Sequence, residues 1–154
     1  MTEKNDRLGA LLRDAYQGIT RRFALRTQTY GLSPTQWRLL GQVLKTGPKT
    51  QAALAEALDV EPISISRLVD RMVQAGWVRR EAHLQDRRAK VIVPTAKAEA
   101  AAPDVLQVVD EVTEAAMTTL SQAERDDLIR MLRQIIETLG GPDAKALTDE
   151  HADE

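Results

Sequence analysis

Between Asp59 and Lys90 the chain carries side chains suited to contacts with double-stranded DNA. A guanidinium can form a two-pronged hydrogen bond to O6 and N7 of guanine, and an aliphatic side chain can contact the methyl group of thymine. At helical spacing the candidates lie on or beside one face: Ile63, Ser64, Ser66, Arg67 and Arg71. We predict base contacts for Ile63, Ser66 and Arg67, and phosphate contacts for the other two. The alternative is an ordinary solvated face of an amphipathic helix.

A helix that begins near Glu61 and ends at Gly76 must hold these side chains. Pro62 suits its first turn, where a missing backbone N–H is harmless, and glycine suits the left-handed residue that ends a helix. Four apolar residues form a separate stripe that we expect to be buried: Ile65, Leu68, Val69 and Met72. This stripe determines which face of the helix, hereafter the recognition helix, remains available to DNA.

A short basic hairpin is predicted directly after the recognition helix. Residues 77–80 form its first strand and residues 91–93 its second, with EAHLQDRRAK between them. Asp86 precedes Arg87 and Arg88, and we expect its carboxylate to hold a guanidinium in a fixed orientation. An ordered arginine loses less entropy when it enters a narrow minor groove, whose negative potential attracts it. Arg88 is therefore the predicted minor-groove contact, with Arg87 beside it.

The order of these motifs resembles that of the MarR family of bacterial regulators. The resemblance rests on LSPTQWRLL, LAEALDV, ISRLVDRMVQAGWVRR and DRRAKVIVPT, which span about Leu32 to Thr95. It implies a winged helix-turn-helix that binds DNA as a homodimer. It also implies a small effector that binds between the DNA-binding lobe and the dimerisation helices.

Two helices are predicted ahead of the recognition helix. The first begins with a capping box at residues 33–36 and runs to about Lys45. Thr50 caps the second, which runs from Gln51 to Leu58 and leads through a short turn into the recognition helix. In such a helix-turn-helix the first helix crosses the DNA backbone. Thr50 and Gln51 are therefore candidate phosphate contacts, with a purely structural cap as the alternative.

Trp37, directly after the capping box, has two interpretations. Large aromatic side chains are mostly buried, which favours a place in the core beside Leu40 and Leu44. The family resemblance implies a ligand contact instead, because this helix lines the effector cleft. Both interpretations remain open at the level of sequence.

The N-terminal helix is predicted from Leu8 to about Tyr30. Its apolar face has no partner nearby in the sequence. The resemblance implies that residues 8–30 and 99–139 form the dimer. The alternative for the N-terminal helix is an ordinary core helix of a monomer.

Two more helices are predicted after the hairpin. Thr95 caps a long helix that runs to about Leu120, with a kink or local break at Pro103. A capping box at Ser121 opens a last amphipathic helix that ends at Gly140. Residues 141–154 are acidic, and we expect them to be a disordered tail.

The formal net charge of −2 conceals a strong asymmetry along the chain. Residues 1–32 carry six basic and three acidic side chains, residues 33–98 eleven and six, and residues 99–154 four and fourteen. The local field, rather than the total charge, attracts a polyanion. The positive middle segment, which contains the recognition helix and hairpin, therefore suits DNA.

Composition excludes several function classes. The 154 residues include no cysteine, which excludes disulfides, thiolate zinc sites and cysteine nucleophiles and departs from the thiol-based oxidant sensors of the MarR family. His83 lies in the hairpin and His151 in the C-terminal segment, without metal-ligand spacing. No nucleophile–base pair appears, so we expect neither an enzyme nor a bound metal or cofactor. No signal pattern or membrane-length apolar run appears, which predicts a cytoplasmic protein without a membrane partner.

The resulting prediction is a single, mostly α domain with a β-hairpin wing, in which residues 33–95 are the winged helix-turn-helix lobe. The resemblance implies a homodimeric repressor of a pseudo-palindromic operator, with recognition helices ~34 Å apart. A small aromatic or acidic ligand is expected to release it. Two alternatives remain: a winged helix that binds protein, since fold does not fix function, and a transcriptional activator.

Overall fold

The computed structural model describes residues 2–140, with side chains from residue 7 onwards. This part of the chain is mostly helical and has one two-stranded antiparallel sheet, which confirms the predicted fold class. The helices are α1 (Thr2–Arg26), α2 (Pro34–Thr46), α3 (Gln51–Leu58), α4 (Pro62–Gln74), α5 (Ala96–Ala116) and α6 (Gln122–Thr138), with a short 3-10 helix at Gln28–Tyr30 and the strands β1 (Val78–Ala82) and β2 (Lys90–Pro94). One compact unit extends to Thr113 and a second begins at Glu114. The predicted acidic tail lies outside the described residues.

Local capping explains where α2 and α3 begin. The Ser33 hydroxyl accepts a hydrogen bond from the Gln36 backbone N–H, and the Gln36 side chain accepts one from the Ser33 N–H at 2.8 Å. Thr50 caps α3 by accepting from the backbone N–H of Ala53 at 3.2 Å. Each cap satisfies backbone donors that a helix leaves unpaired at its start. Both predicted starts are confirmed.

The recognition helix, α4, has the predicted ends. Pro62 occupies its first turn, although the Glu61 side chain makes no capping hydrogen bond. Gly76, just after the last turn, has a φ of +77°, a backbone conformation that glycine adopts without strain. The predicted apolar stripe is buried, and all four of its members lie in the core: Ile65, Leu68, Val69 and Met72.

The wing is an antiparallel hairpin supported by a short third segment. Arg79 pairs with Val93 and Arg80 with Ile92 in its register. On the far side of β2, the backbone of Lys49 exchanges two hydrogen bonds with Ile92, at 2.7 and 3.3 Å. The buried strand of the hairpin is therefore held by the turn between α2 and α3. This attachment orients the wing relative to the helix-turn-helix.

The core of the first unit draws on every element from α2 to the start of α5. Leu39, Leu54, Ile65, Ile92 and Ala98 are each fully buried and each comes from a different element. Beside them, four aromatic rings meet edge to face with centroids 5.5–6.0 Å apart: Phe23, Tyr30, Trp37 and Trp77. Such pairs add stability beyond the apolar area that they bury. The prediction that Trp37 packs in the core is confirmed, since 9% of its surface is exposed.

Three helix boundaries differ from the predictions. The N-terminal helix begins at Thr2, earlier than predicted, and ends at Arg26 instead of continuing to Tyr30. Thr27, which is buried, follows this helix, and its hydroxyl donates a hydrogen bond to the Phe23 carbonyl at 2.9 Å. Threonine can compete in this way with continuation of the helix. Helix α5 ends at Ala116 instead of Leu120, because the intervening residues form turns ahead of the Ser121 cap.

The helix α5 continues through Pro103, so of the two predicted alternatives the local break is excluded and the kink stays a prediction. Proline removes one backbone donor, which leaves the carbonyl of Glu99 without its usual helical partner. Both residues are exposed. Water can therefore hydrate that carbonyl, and the helix tolerates the missing bond.

The second unit contains α6, whose predicted capping box is confirmed. Ser121 accepts from the Glu124 backbone N–H, and the Glu124 carboxylate accepts from the Ser121 N–H at 2.8 Å. Two hydrogen bonds from Ser121, one from its backbone and one from its side chain, lower the pKa of Glu124. No described residue of α6 is buried, and Met131 and Ile136 are each about half exposed.

Candidate nucleic-acid interface

The predicted base-contacting residues lie together on one accessible face of α4. This recognition face consists of Ile63, Ser64, Ser66, Arg67 and Arg71. Ile63 is 63% exposed although it is a large aliphatic residue. Ser66 is half-buried, and the remaining members are exposed. Within the described part of the chain, none of these side chains has a hydrogen bond or an ion pair, so their donors and apolar surface are available to a ligand.

Arg80 of β1 is a residue whose role sequence reasoning missed. Its guanidinium forms an ion pair with Asp70 of α4 and bonds the side-chain oxygen of Gln51 on α3 at 3.1 and 3.3 Å. One side chain thus joins the strand of the wing to both helices of the helix-turn-helix. Arg80 also neutralises Asp70, an acidic residue beside the recognition face. No sequence spacing signals this contact, because the partners become neighbours only through the fold.

The wing tip presents two free arginines. Arg87 and Arg88 are exposed, and neither guanidinium has a partner among the residues that the structure describes. The prediction that Asp86 holds a guanidinium is wrong. Its carboxylate accepts the backbone N–H of Arg88 at 2.9 Å. Aspartate commonly bonds the backbone two residues further on, because its short side chain reaches that N–H before any distant group.

Thr50 and Gln51 lie at the start of α3, as predicted. The Thr50 hydroxyl is engaged as a cap, and the Gln51 side-chain oxygen is engaged by Arg80. The Gln51 amide group keeps its own N–H donors. Thr50 therefore acts as a helix cap, which was the structural alternative. A phosphate contact remains a prediction for both Thr50 and Gln51.

The arginines of residues 33–95 form two groups, according to whether another residue contacts the guanidinium. Arg79 bonds Glu81 at 2.6 Å and the Pro94 carbonyl at 2.9 Å, and Arg80 is paired as above. Among the described residues, no partner contacts the guanidinium groups of the recognition helix and the wing tip: Arg67, Arg71, Arg87 and Arg88. Unpaired exposed cations are those that attract a phosphate backbone most effectively. Within residues 33–95, the unpaired guanidinium groups therefore lie on the predicted contact surface.

Two clefts meet at Trp37. One has a volume of about 740 Å³ and is lined by α2, α3 and α5, with Arg38 and Lys45 among its polar residues. The other, of about 360 Å³, lies against α1 and is almost wholly apolar. The indole Nε1 of Trp37 is, among the described residues, the one buried side-chain nitrogen or oxygen without a hydrogen-bond partner. Arg38 donates to the Leu58 carbonyl at 3.2 Å and keeps further donors.

Residues 2–140 present neither a cluster of metal ligands nor a membrane span. No group of three or more histidine and carboxylate side chains there could hold a metal ion. No helix in this range is long and apolar enough to cross a membrane.

Comparison with known proteins identifies the family. The sequence model of the MarR family matches residues 30–89. The HTH-type transcriptional repressor NicR of Pseudomonas putida is 31% identical over 86% of this chain and 84% of its own length. Two regulators of Bacillus subtilis, YwoH and YcgE, also match, but the chain spans only 52% and 56% of their lengths.

Solved structures share the fold. A MarR variant of E. coli in complex with operator DNA superposes with a TM-score of 0.77 at 21% identity, over 88% of this chain and 98% of that one. BpsR of Bordetella bronchiseptica is a protein whose binding to DNA is regulated by 6-hydroxynicotinic acid. Its structure superposes with a TM-score of 0.71 at 20% identity, over 82% of this chain and 91% of that one. The similarity to NicR over most of both chains, with the family model, confirms the resemblance noted in the sequence: the chain belongs to the MarR family of DNA-binding transcriptional regulators, which are not enzymes.

Proposed function

We propose that this regulator is a homodimeric repressor that binds a pseudo-palindromic operator and leaves it when a small aromatic acid binds. The observation that carries the proposal is the recognition face. Within the described residues, its five side chains and the two wing arginines have no hydrogen bond or ion pair. All of them except the half-buried Ser66 are exposed, while the opposite stripe of the same helix is buried. The arrangement suits insertion of α4 into the major groove and of the wing into the adjacent minor groove.

Within this proposal the contacts divide by chemistry. Arg67, one turn into α4, reaches guanine, and Ile63 contacts a thymine methyl group. Ser66 lies between them and bonds a base edge. Ser64 and Arg71 contact phosphates, as do Thr50 and Gln51. Arg88 enters the minor groove, with Arg87 beside it and Asp86 fixing the turn that presents both.

Dimerisation is proposed from apolar surface that one copy leaves uncovered. On α1, Leu8 and Leu11 are 48% and 65% exposed, and on α6 Met131 and Ile136 are each 47% exposed. Apolar residues repeated along one helical face are normally covered by a partner. Residues 8–30 and 99–139 are therefore the proposed dimerisation segments. Sedimentation at micromolar concentration checks this: a dimer is expected, and a monomer would contradict it.

The proposed effector site is the pair of clefts beside Trp37. Their volumes lie in the range of small-molecule sites, and their walls are mainly apolar with a few polar groups. The remaining donors of Arg38, with the Lys45 ammonium at the larger cleft, suit the carboxylate of an aromatic acid whose ring packs against Trp37. BpsR is regulated by such a compound, so 6-hydroxynicotinic acid is a reasonable first probe. A ligand acts only if it binds the DNA-free arrangement more tightly than the DNA-bound one.

Selection of bound duplexes from a random pool tests the central proposal. A repressor of this kind is expected to enrich an inverted repeat whose half-sites are centred one helical turn apart. Its affinity for the enriched site should fall steeply as salt rises, because several phosphates are neutralised. A pool without an enriched repeat, or a binding constant that salt leaves unchanged, would contradict the proposal and favour a protein-binding winged helix. Repression and activation would then be distinguished by transcription from a promoter that carries the selected site.

A further inference from the structure

Three successive carbonyl groups at the end of the recognition helix are bound by residues around the start of α5. The Ala75 carbonyl accepts a hydrogen bond from the Lys97 ammonium at 3.0 Å. The Gly76 carbonyl accepts from the Thr95 hydroxyl at 2.6 Å, and the Trp77 carbonyl accepts from the Thr95 backbone N–H at 3.2 Å. The Ala75 carbonyl, at the C-cap of α4, lacks a partner within the helix, and the Lys97 ammonium supplies one. The two Thr95 bonds hold the residues that follow, Gly76 and Trp77.

Lys97 makes a second contact at the same place. Its ammonium lies 4.3 Å from the centroid of the Trp77 ring, and Trp77 is buried in the aromatic cluster of the core. A cation is attracted both to the face of an indole and to the negative end of a helix dipole. Lys97 is an exposed residue, yet its charged atom is held by these two groups. Such a double contact is specific in direction, unlike a solvated lysine on a helix face.

From this geometry we infer that Lys97, with Thr95, is a positioning residue for DNA recognition: it holds the C-terminal end of the recognition helix at the first turn of α5. The inference rests on the proposed function and extends it to a residue that contacts no DNA base in that proposal. The later turns of α5, including Ala102 and Val105, line the larger cleft at Trp37. The same helix thus contacts both the recognition helix and the proposed effector site.

These contacts predict the effect of removing the Lys97 charge on DNA binding. Without the ammonium, the Ala75 carbonyl loses its donor and the last turn of α4 loses one of its two attachments to α5. The side chains of the recognition face belong to that helix, so their orientation relative to base edges becomes less defined. Attraction to the phosphates depends on charge more than on orientation, so the affinity that phosphate contacts provide changes little. Specific binding should therefore weaken more than non-specific binding.

The experiment compares Lys97→Met, Lys97→Arg and the unaltered chain. Fluorescence anisotropy measures binding to the selected operator and to a scrambled duplex of equal length. Lys97→Met is expected to reduce the ratio of the two affinities on the order of three- to tenfold, and Lys97→Arg to restore it. Fluorine NMR of 5-fluorotryptophan-labelled protein, without DNA, should show the Trp77 resonance shifted in Lys97→Met. Glu99→Gln, a charge change in the same turn, should leave both readouts unchanged.

Two results would overturn the inference. Equal losses on both duplexes, with a shallower salt dependence, would make Lys97 a phosphate contact. An unchanged affinity ratio would leave Lys97 without a role in recognition. If Lys97→Met does not fold, Lys97→Gln replaces it. This variant keeps a donor for the Ala75 carbonyl but has no charge for the Trp77 ring, and the ratio of its affinities for the operator and the scrambled duplex tests the inference in the same way. Failure of the proposed function is distinguishable, because the unaltered chain itself would then not prefer the operator.

Discussion

Arg80 on the first strand of the wing forms an ion pair with Asp70 on the recognition helix. The Arg80 side chain is 30% exposed and that of Asp70 62%, so solvent screens the pair. Pairs of this kind contribute at most ~1 kcal/mol to stability. Their geometry is of greater consequence here, because the pair and the Gln51 contact fix the wing relative to both helices of the helix-turn-helix.

Arg80→Met should therefore impair DNA binding by the wing more than it impairs folding. We expect the free energy of unfolding to fall by less than ~1 kcal/mol and footprint protection to decrease in the minor-groove flanks of the operator. Arg79→Met is the matched control, since Arg79 lies on the same strand but bonds Glu81 and the Pro94 carbonyl. Equal loss of flank protection in the two variants would show that the Asp70 contact is not what orients the wing.

Arg67→Ala should weaken binding to the preferred operator by about 1–3 kcal/mol and relax discrimination at one base pair of each half-site. The reason is loss of a two-pronged contact to guanine, which the other proposed base-contacting side chains, Ile63 and Ser66, cannot replace. Titration of the operator and its single-base variants measures both effects. Gln74→Ala removes an exposed polar side chain near the end of the same helix and should change neither. A uniform loss over all sequences would make Arg67 a phosphate contact.

Arg88→Ala should abolish any preference for A·T-rich flanks, because a narrow minor groove attracts an inserted guanidinium. Asp86 provides a sharper test of how that arginine is presented. Asp86→Asn keeps an oxygen that can accept the Arg88 backbone N–H, whereas Asp86→Ala removes it. Flank preference should survive in the first variant and decline in the second. If both variants decline equally, the carboxylate charge is what orders the wing tip.

Acid should weaken the link between α1 and α5. The side-chain hydrogen bond from Arg26, followed by that from Gln107, lowers the pKa of Glu111 below its ordinary value of 4.5. A carboxyl group whose pKa is lower in the folded chain stabilises the fold above the unfolded pKa, and this contribution disappears as pH falls through the folded pKa. The stability difference between the unaltered chain and Glu111→Gln should therefore be present at pH 7 and shrink below pH 4.5.

Urea midpoints at a series of pH values measure this difference. Glu99→Gln, which removes a carboxylate from α5 without removing an ion pair, is the control and should show no such convergence. A Glu111→Gln midpoint that stays below that of the unaltered chain by a constant amount down to pH 3 would contradict the assignment.

The sequence predicted those parts of the interface that local rules determine. The ends of α4 follow from Pro62 and Gly76, and its orientation follows from the spacing of buried residues around Ile65. The contacts of Arg80 could not be predicted, because Gln51 lies 29 residues away and meets it only through the hairpin register. Asp86 was assigned the wrong partner, since a backbone N–H two residues away competes with any guanidinium. The missing information was therefore side-chain geometry, between distant residues at Arg80 and within one turn at Asp86.

Because of the exposed leucines of α1, the oligomeric state of the regulator in the proposed assembly depends on its concentration. Covering a large aliphatic side chain lowers the free energy by roughly 1.5–3 kcal/mol, and in the proposed assembly a second copy provides the cover. The population of paired, DNA-competent molecules then rises with concentration by mass action. A cell that merely dilutes this protein during growth would begin to free the operator without any inducer.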